Sequence, residues 1–280
     1  MKIAYCGYDF FSGCLRDLLA CGCDVQAVFT MKCDNRFDFN QYIHDLCAQH
    51  ALPLTDTPLD AQAIERLEAA GCELVITAGY PYKIPDLSRT RMCGINVHPT
   101  LLPVGRGPWP LSWVILKRLE RSGVTIHALS NTFDTGNILA QREFPVSDRE
   151  TLESLSAKSQ LTAIALLREV VAGFDHYWDA QRPQTGEGSY WPRPTLADRT
   201  LDWRARVDDI ERMCRAFSKS GARAHFDNQN WWVYSVSAWK QDHCYVPGTV
   251  VHKTNTEMIV AAADGLVSLL YFRRILPSPQ

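Results

Sequence analysis

The chain lacks any apolar run of the roughly 18 residues that a membrane-spanning helix needs, so no span is expected. Its opening residues, Met1-Lys2-Ile3-Ala4-Tyr5, enter a strand directly and lack the apolar core of a secretory signal. Charge of one sign is missing too: 29 Lys and Arg face 31 Asp and Glu, a formal net charge of −2. That balance excludes an overall basic footprint for nucleic acid, though not a local basic patch. Ten cysteines are present, but no Cys-x-x-Cys pair, so neither a zinc site nor a redox dithiol has support. Free thiols in a reducing cytoplasm are the expectation. There is no internal repeat and no low-complexity tract. What remains is ordinary for a globular protein of 280 residues, with 46% hydrophobic and 21% charged residues. That length suffices for a large domain with a smaller one beside it.

Short buried strands are expected at 2–5, 25–30, 73–77 and 94–97, with helical spacing between them at 10–20, 40–50 and 61–70. Strands alternating with helices imply a mostly parallel, Rossmann-like α/β sheet with flanking helices. A helix at 110–120, strands at 124–129 and 138–144 and a long helix at 152–171 complete this layer. Composition then changes. Pro183, Gly186, Gly188, Pro192 and Pro194 mark a linker. Beyond it, a helix at 206–217 and about five short strands suggest a small OB-like β-barrel, with Asn228-Gln229-Asn230 as a hairpin signal. The division expected is 1–175, a linker at 176–199, and 200–280.

One stretch carries chemistry. Asn96-Val97-His98-Pro99-Thr100-Leu101-Leu102-Pro103 is followed by Asp134-Thr135-Gly136. An amide can donate to a developing oxyanion. An imidazole shuttles protons near neutrality, and a carboxylate orients it and holds its charge. Asn96 and His98 are two apart, so on a strand both point to the same face. They fall at the C-terminal end of an expected parallel strand, the edge where open α/β sheets bind ligands. By itself the set also reads as a packed core histidine and a turn aspartate.

The blocks around it are more specific. These are the stretch just quoted, then Gly105-Arg106-Gly107-Pro108-Trp109-Pro110, Gly123-Val124-Thr125-Ile126-His127 and Phe133-Asp134-Thr135-Gly136-Asn137-Ile138-Leu139. In order and spacing they resemble the 10-formyltetrahydrofolate-dependent formyltransferases over residues 1–172. A weaker resemblance, with Arg193-Pro194-Thr195 and Asp202-Trp203, extends over 190–275 to the C-terminal barrel of methionyl-tRNA and aminoarabinose formyltransferases. The resemblance implies that 1–175 is the catalytic domain and that 10-formyltetrahydrofolate is the co-substrate, with no metal. It implies that Asn96 bonds the formyl oxygen, that His98 assists the same centre and passes protons, and that Asp134 pairs with His98 and accepts a proton from the attacking amine. Folate contacts are expected from Tyr80, Tyr82, Ile84, Leu102, Leu129, Thr132 and Phe133, chiefly through main-chain groups. Tyr80 and Tyr82 read equally well as packed aromatics. Arg106, between two glycines, and Trp109 are the candidates for acceptor contact, since a guanidinium suits phosphate or carboxylate.

The acceptor is less legible. The segment 31–38, where tRNA-binding members carry a basic loop, is nearly neutral here. A nucleotide-linked 4-amino sugar is therefore favoured over initiator methionyl-tRNA and over a small amine of a natural-product pathway. Thr135 and Thr100 differ from the aminoarabinose enzyme, which leaves the sugar open. Hydrolysis of 10-formyltetrahydrofolate, or a folate-binding regulatory module without turnover, are the other readings. The chain starts at the first strand and adds a C-terminal module, which favours a transferase. A homodimer is left open, and no membrane partner is expected.

Overall fold

A computed structural model describes residues 1–34 and 38–276. The neutral segment 31–38 therefore lies partly outside the described residues. The chain divides into two compact units: residues 1–110, 121–145 and 156–192, and residues 111–120, 146–155 and 193–280.

The first unit holds one seven-stranded sheet of order β3-β2-β1-β4-β5-β6-β7. Its strands are β1 (Lys2–Gly7), β2 (Asp24–Phe29), β3 (Leu54–Thr55), β4 (Leu74–Ala78), β5 (Cys93–His98), β6 (Arg121–Ala128) and β7 (Ile138–Pro145). The first five are parallel. β4 is buried along its whole length, as a strand covered on both faces must be. Between strands run α1 (Ser12–Ala20), α2 (Gln41–Gln49) and α3 (Ala61–Ala69). α3 starts where Asp60 accepts a hydrogen bond from the Ala63 amide, an N-cap. Ala63, Ile64 and Leu67 on one stripe then pack under β1 and β4. β6 and β7 run antiparallel to their neighbours. No helix separates them, and a short connection reverses the chain.

The expected linker is ordered. A helix, α6 (Phe174–Asp179), spans its start. Arg182 then exchanges two backbone hydrogen bonds with Ile138, and residues 189–191 pair with 103–106. Proline and glycine kept this stretch from reading as an element, yet its backbone groups find partners in the first unit.

The second unit contains α4 (Pro110–Leu116) from Leu111 on, and α7 (Val207–Ala216) with five antiparallel strands. These are β8 (Ala222–Phe226), β9 (Gln229–Lys240), β10 (Val250–Lys253), β11 (Met258–Ala261) and β12 (Gly265–Arg274), in the order β10-β11-β12-β9-β8. The small antiparallel module expected from the sequence is present, with β8 and β10 at the edges of its sheet. The β8–β9 turn is made by Asp227 and Asn228, both left-handed at φ 52° and 53°, the primed turn that suits strand twist. Asn228-Gln229-Asn230 thus pointed to the right hairpin one residue late. Trp231 stacks on Phe226 inside the core, with centroids 5.3 Å apart. Trp232 points the other way and lies under Arg199. The helix expected at 110–120 starts at Pro110 and ends at Leu116.

Candidate active site

Three adjacent strands build the site in register. Thr77 on β4 stands beside Asn96 on β5, which stands beside His127 on β6. Their side chains form a relay. The Thr77 hydroxyl donates to Asn96 Oδ1 at 2.7 Å, Asn96 Nδ2 meets His127 Nε2 at 3.0 Å, and His127 Nδ1 meets the Ala128 carbonyl at 2.9 Å. A carbonyl only accepts, so Nδ1 carries the proton and Nε2 accepts from Asn96. Both ends of the Asn96 amide are thereby assigned. Its second N–H points at Asp134 Oδ1 across 3.4 Å, a long and weak contact.

His98 is buried at the end of β5. Its Nε2 donates to the Gly105 carbonyl at 2.8 Å, leaving Nδ1 to face Asp134 Oδ1 at 3.4 Å. Burial is the larger influence on His98 and lowers its pKa below 6.5, against the opposing pull of Asp134. Burial works against the charge on Asp134. The imidazole of His127, with Nε2 3.7 Å away, the proximity of His98 and the Gly107 N–H at 2.9 Å outweigh it and hold the carboxyl at about 2. These two shifts describe one pair in a single state: an ionised Asp134 beside a neutral His98 whose Nδ1 lone pair is open.

Asp134 sits at φ 58°, a left-handed conformation uncommon for a side chain other than glycine. Two contacts hold it there. A Cβ on Gly136 would lie 1.8 Å from the Ala128 carbonyl, so the turn presses directly on β6 and only glycine fits. On the other side, Gln184 Nε2 donates to the carbonyls of Asp134 and Gly136 at 2.8 and 2.9 Å.

The remaining expected residues divide. Tyr80 is buried, and its hydroxyl accepts from the Leu59 amide while its ring meets Tyr82 edge-on. Tyr80 packs in the α3 core, and Tyr82 and Ile84, each half-buried, pack against it. Leu102 is buried, and Leu129 is half-buried over Gly94. Thr132 is exposed and Phe133 is 56% exposed, on the loop that leads into Asp134. Trp109 is half-buried just before α4. Arg106 does not reach out of its loop. Nε and Nη2 both donate to Gln184 Oε1, at 3.1 and 2.7 Å. The flanking Gly107, at φ 115°, is required because a Cβ there would lie 2.2 Å from the Trp191 carbonyl. Gly105 and Gly107 both press against Trp191.

Sequence reasoning missed Thr77, His127, Gln184 and Ser189. His127 stood in a quoted block, but its place opposite Asn96 depends on the direction of β6. Gln184 and Ser189 lay inside the supposed linker. Among the described residues no group of three or more His, Cys, Asp or Glu could hold a metal ion.

Comparison with known proteins adds to this geometry. The formyl transferase family model matches residues 35–171, and the formyl transferase C-terminal domain model matches residues 195–274. A methionyl-tRNA formyltransferase of Treponema denticola is 34% identical over 184 residues, covering 63% of this chain and 57% of that protein. The chain thus matches little more than half the length of that relative. A methionyl-tRNA formyltransferase of Enterococcus faecalis is 25% identical over 293 aligned positions, covering 99% of this chain and 91% of that protein. Among solved structures, HypX from Aquifex aeolicus in complex with tetrahydrofolic acid superposes with a TM-score of 0.71 at 21% identity, covering 99% of this chain and 44% of that one. WlaRD, a sugar 3N-formyl transferase, superposes with a TM-score of 0.70 at 17% identity, covering 99% and 98%.

Proposed function

Because the chain belongs to the formyl transferase family, we propose that it is an N-formyltransferase moving a formyl group from 10-formyltetrahydrofolate to a primary amine, on a nucleotide-linked 4-amino sugar. The observation that carries the reaction is that an amide N–H and an imidazole nitrogen at the end of β5 each lie 3.4 Å from the same ionised carboxylate oxygen. That donor set fits a formyl-folate, since acyl transfer to an amine needs a hydrogen-bond donor for negative charge and a base for one proton. The folate supplies an activated formyl carbon. Main-chain groups of 79–84 and the exposed loop 129–133 are the residues that would hold it.

Each residue then has a distinct task. The Asn96 N–H held only weakly by Asp134 is free to turn to the oxygen that gains negative charge. Thr77 and His127 fix the amide so that it presents N–H rather than oxygen. His98 Nδ1, on a ring that burial keeps neutral, takes the proton of the attacking amine. Asp134 holds the charge that His98 gains, while Gly105 keeps the ring from turning. This differs from the sequence expectation, which had Asp134 accept the proton.

The amino sugar is favoured by the net charge of −2 and the nearly neutral segment 31–38. WlaRD, which shares the fold, is a sugar N-formyl transferase. A second acceptor, methionyl-tRNA, is favoured by the two relatives named for it. The second unit also offers Arg223, Trp232 and Arg273 on one face of neighbouring strands, with Arg199 over the Trp232 ring. Mixing the protein with 10-formyltetrahydrofolate and a panel of amines, and following tetrahydrofolate release, tests the proposal. Release on adding UDP- or dTDP-linked 4-amino sugars is expected. Release with methionyl-tRNA alone would move the acceptor, and release without any amine would make the protein a hydrolase.

A further inference from the structure

The two loops that complete the His98–Asp134 pair are far apart in sequence. The 105–107 loop supplies the Gly105 carbonyl to His98 and the Gly107 amide to Asp134. The 134–136 turn supplies the carboxylate itself. One half-buried side chain joins them. The Gln184 carbonyl oxygen takes both Arg106 N–H groups, and its amide nitrogen donates to both carbonyls of the turn. His98 and Asp134 also bridge the two loops, but Gln184 does so from outside the pair. Ser189 reinforces the same strap, accepting from the Gly105 amide at 2.9 Å.

We infer that Gln184, with Arg106 behind it, is a positioning residue that clamps the 105–107 loop to the 134–136 turn and thereby sets the spacing of His98 and Asp134. The inference rests on the transfer reading for its kinetic consequence, but its geometric core does not. A primary amide is required at this place. Two carbonyls on one side need donors and a guanidinium on the other needs an acceptor, and only an amide offers both. A carboxylate would satisfy Arg106 and leave both carbonyls without a partner. The groups facing Asp134 are His98 from β5 and His127 from β6, with Arg106 reaching it only through Gln184.

Releasing the clamp lets water in and loosens the Gly107 donor. Hydration raises the protonation point of His98, whereas on Asp134 it acts against the loss of the Gly107 donor, so His98 is the group to follow. In Q184A the acidic limb of the kcat/KM profile therefore moves to higher pH, and kcat falls on the order of tenfold or more with KM for folate little changed, since small displacements of reacting groups are costly. Q184E, which keeps the Arg106 contact and should fold, is expected to lose activity as Q184A does. R106A is expected to cause the same shift, and R106A/Q184A to be no worse than either alone. A loss of thermal stability with an unmoved pH limb would overturn the inference, as would wild-type rates in Q184E or additive losses in the double variant. An NMR titration of the His98 ring in wild type and Q184A needs no turnover. If wild type transfers no formyl group, that titration still decides the clamp: a raised ring pKa supports it and an unchanged one removes it.

Discussion

At the scale of the residue, the site is governed by one buried anion whose nearest ionisable neighbours are histidines rather than a lysine or arginine. Asp134 is 8% exposed and accepts from Gly107 and Asn96, with the two imidazoles beside it. Asp134→Asn keeps the shape, and Asn tolerates the left-handed backbone, but the charge for His98 is lost. Turnover should drop on the order of a hundredfold or more while folate binding, followed by fluorescence, is retained. Substantial remaining turnover would take Asp134 out of the mechanism. The same carboxylate predicts an acid response. Its folded value of about 2 lies below the ordinary 3.8, so it stabilises the fold above 3.8 and that contribution is lost as pH falls toward 2. The loss is on the order of 2 kcal/mol. His98 acts in the same direction from a higher pH, because the unfolded ring takes a proton near 6.5 and the buried ring resists it. In denaturant titrations, wild type should lose about that much more stability between pH 7 and 2 than Asp134→Asn does. Thr77→Val offers a finer probe. It keeps the volume but frees Asn96 to flip, and kcat should fall with KM unchanged.

At the scale of the element, the site depends on backbones in close contact. Gly136→Ala would drive a Cβ into the Ala128 carbonyl at 1.8 Å. Displacing the turn should cost about 1–3 kcal/mol, read as a lowered denaturation midpoint, and should abolish activity with it. In the second unit the β8–β9 hairpin gives the opposite case. Asn228 already sits at φ 53°, where glycine has no steric penalty. Asn228→Gly should therefore leave Tm unchanged or slightly raised, and a clear drop would mean that the Asn side chain holds the turn. The elements themselves were largely legible. Burial without alternation marked β1, β2, β4 and β5, because strands covered on both faces have no polar side. The direction of β6, the two-residue β3 and the helix α6 were not, since none has a periodic signal of its own.

At the scale of the whole molecule, acceptor choice is a question of charge. A protein that binds tRNA displaces counterions, so its apparent affinity falls steeply with salt. With a net charge of −2 and an amino-sugar acceptor, KM for the acceptor should vary little between about 50 and 200 mM salt. A steep dependence, removed by replacing Arg199 and Arg273, would argue for nucleic acid bound on the second unit. Acceptor specificity is a difference between the affinities for two acceptors.

The sequence alone determined the architecture and, through its resemblance to formyltransferases, the candidate chemistry. Asn96, His98 and Asp134 were identifiable because residue type and strand periodicity are local properties, and a strand's C-terminal edge is where ligands collect. Tertiary structure alone decided how those groups are held. The antiparallel register put His127 opposite Asn96, and the fold of residues 182–191 brought Gln184 between two loops. It also turned Arg106 inward and Tyr80 into the core. Partners in these contacts lie tens of residues apart and are chosen by packing and by the need to satisfy every buried polar group, which no local pattern encodes.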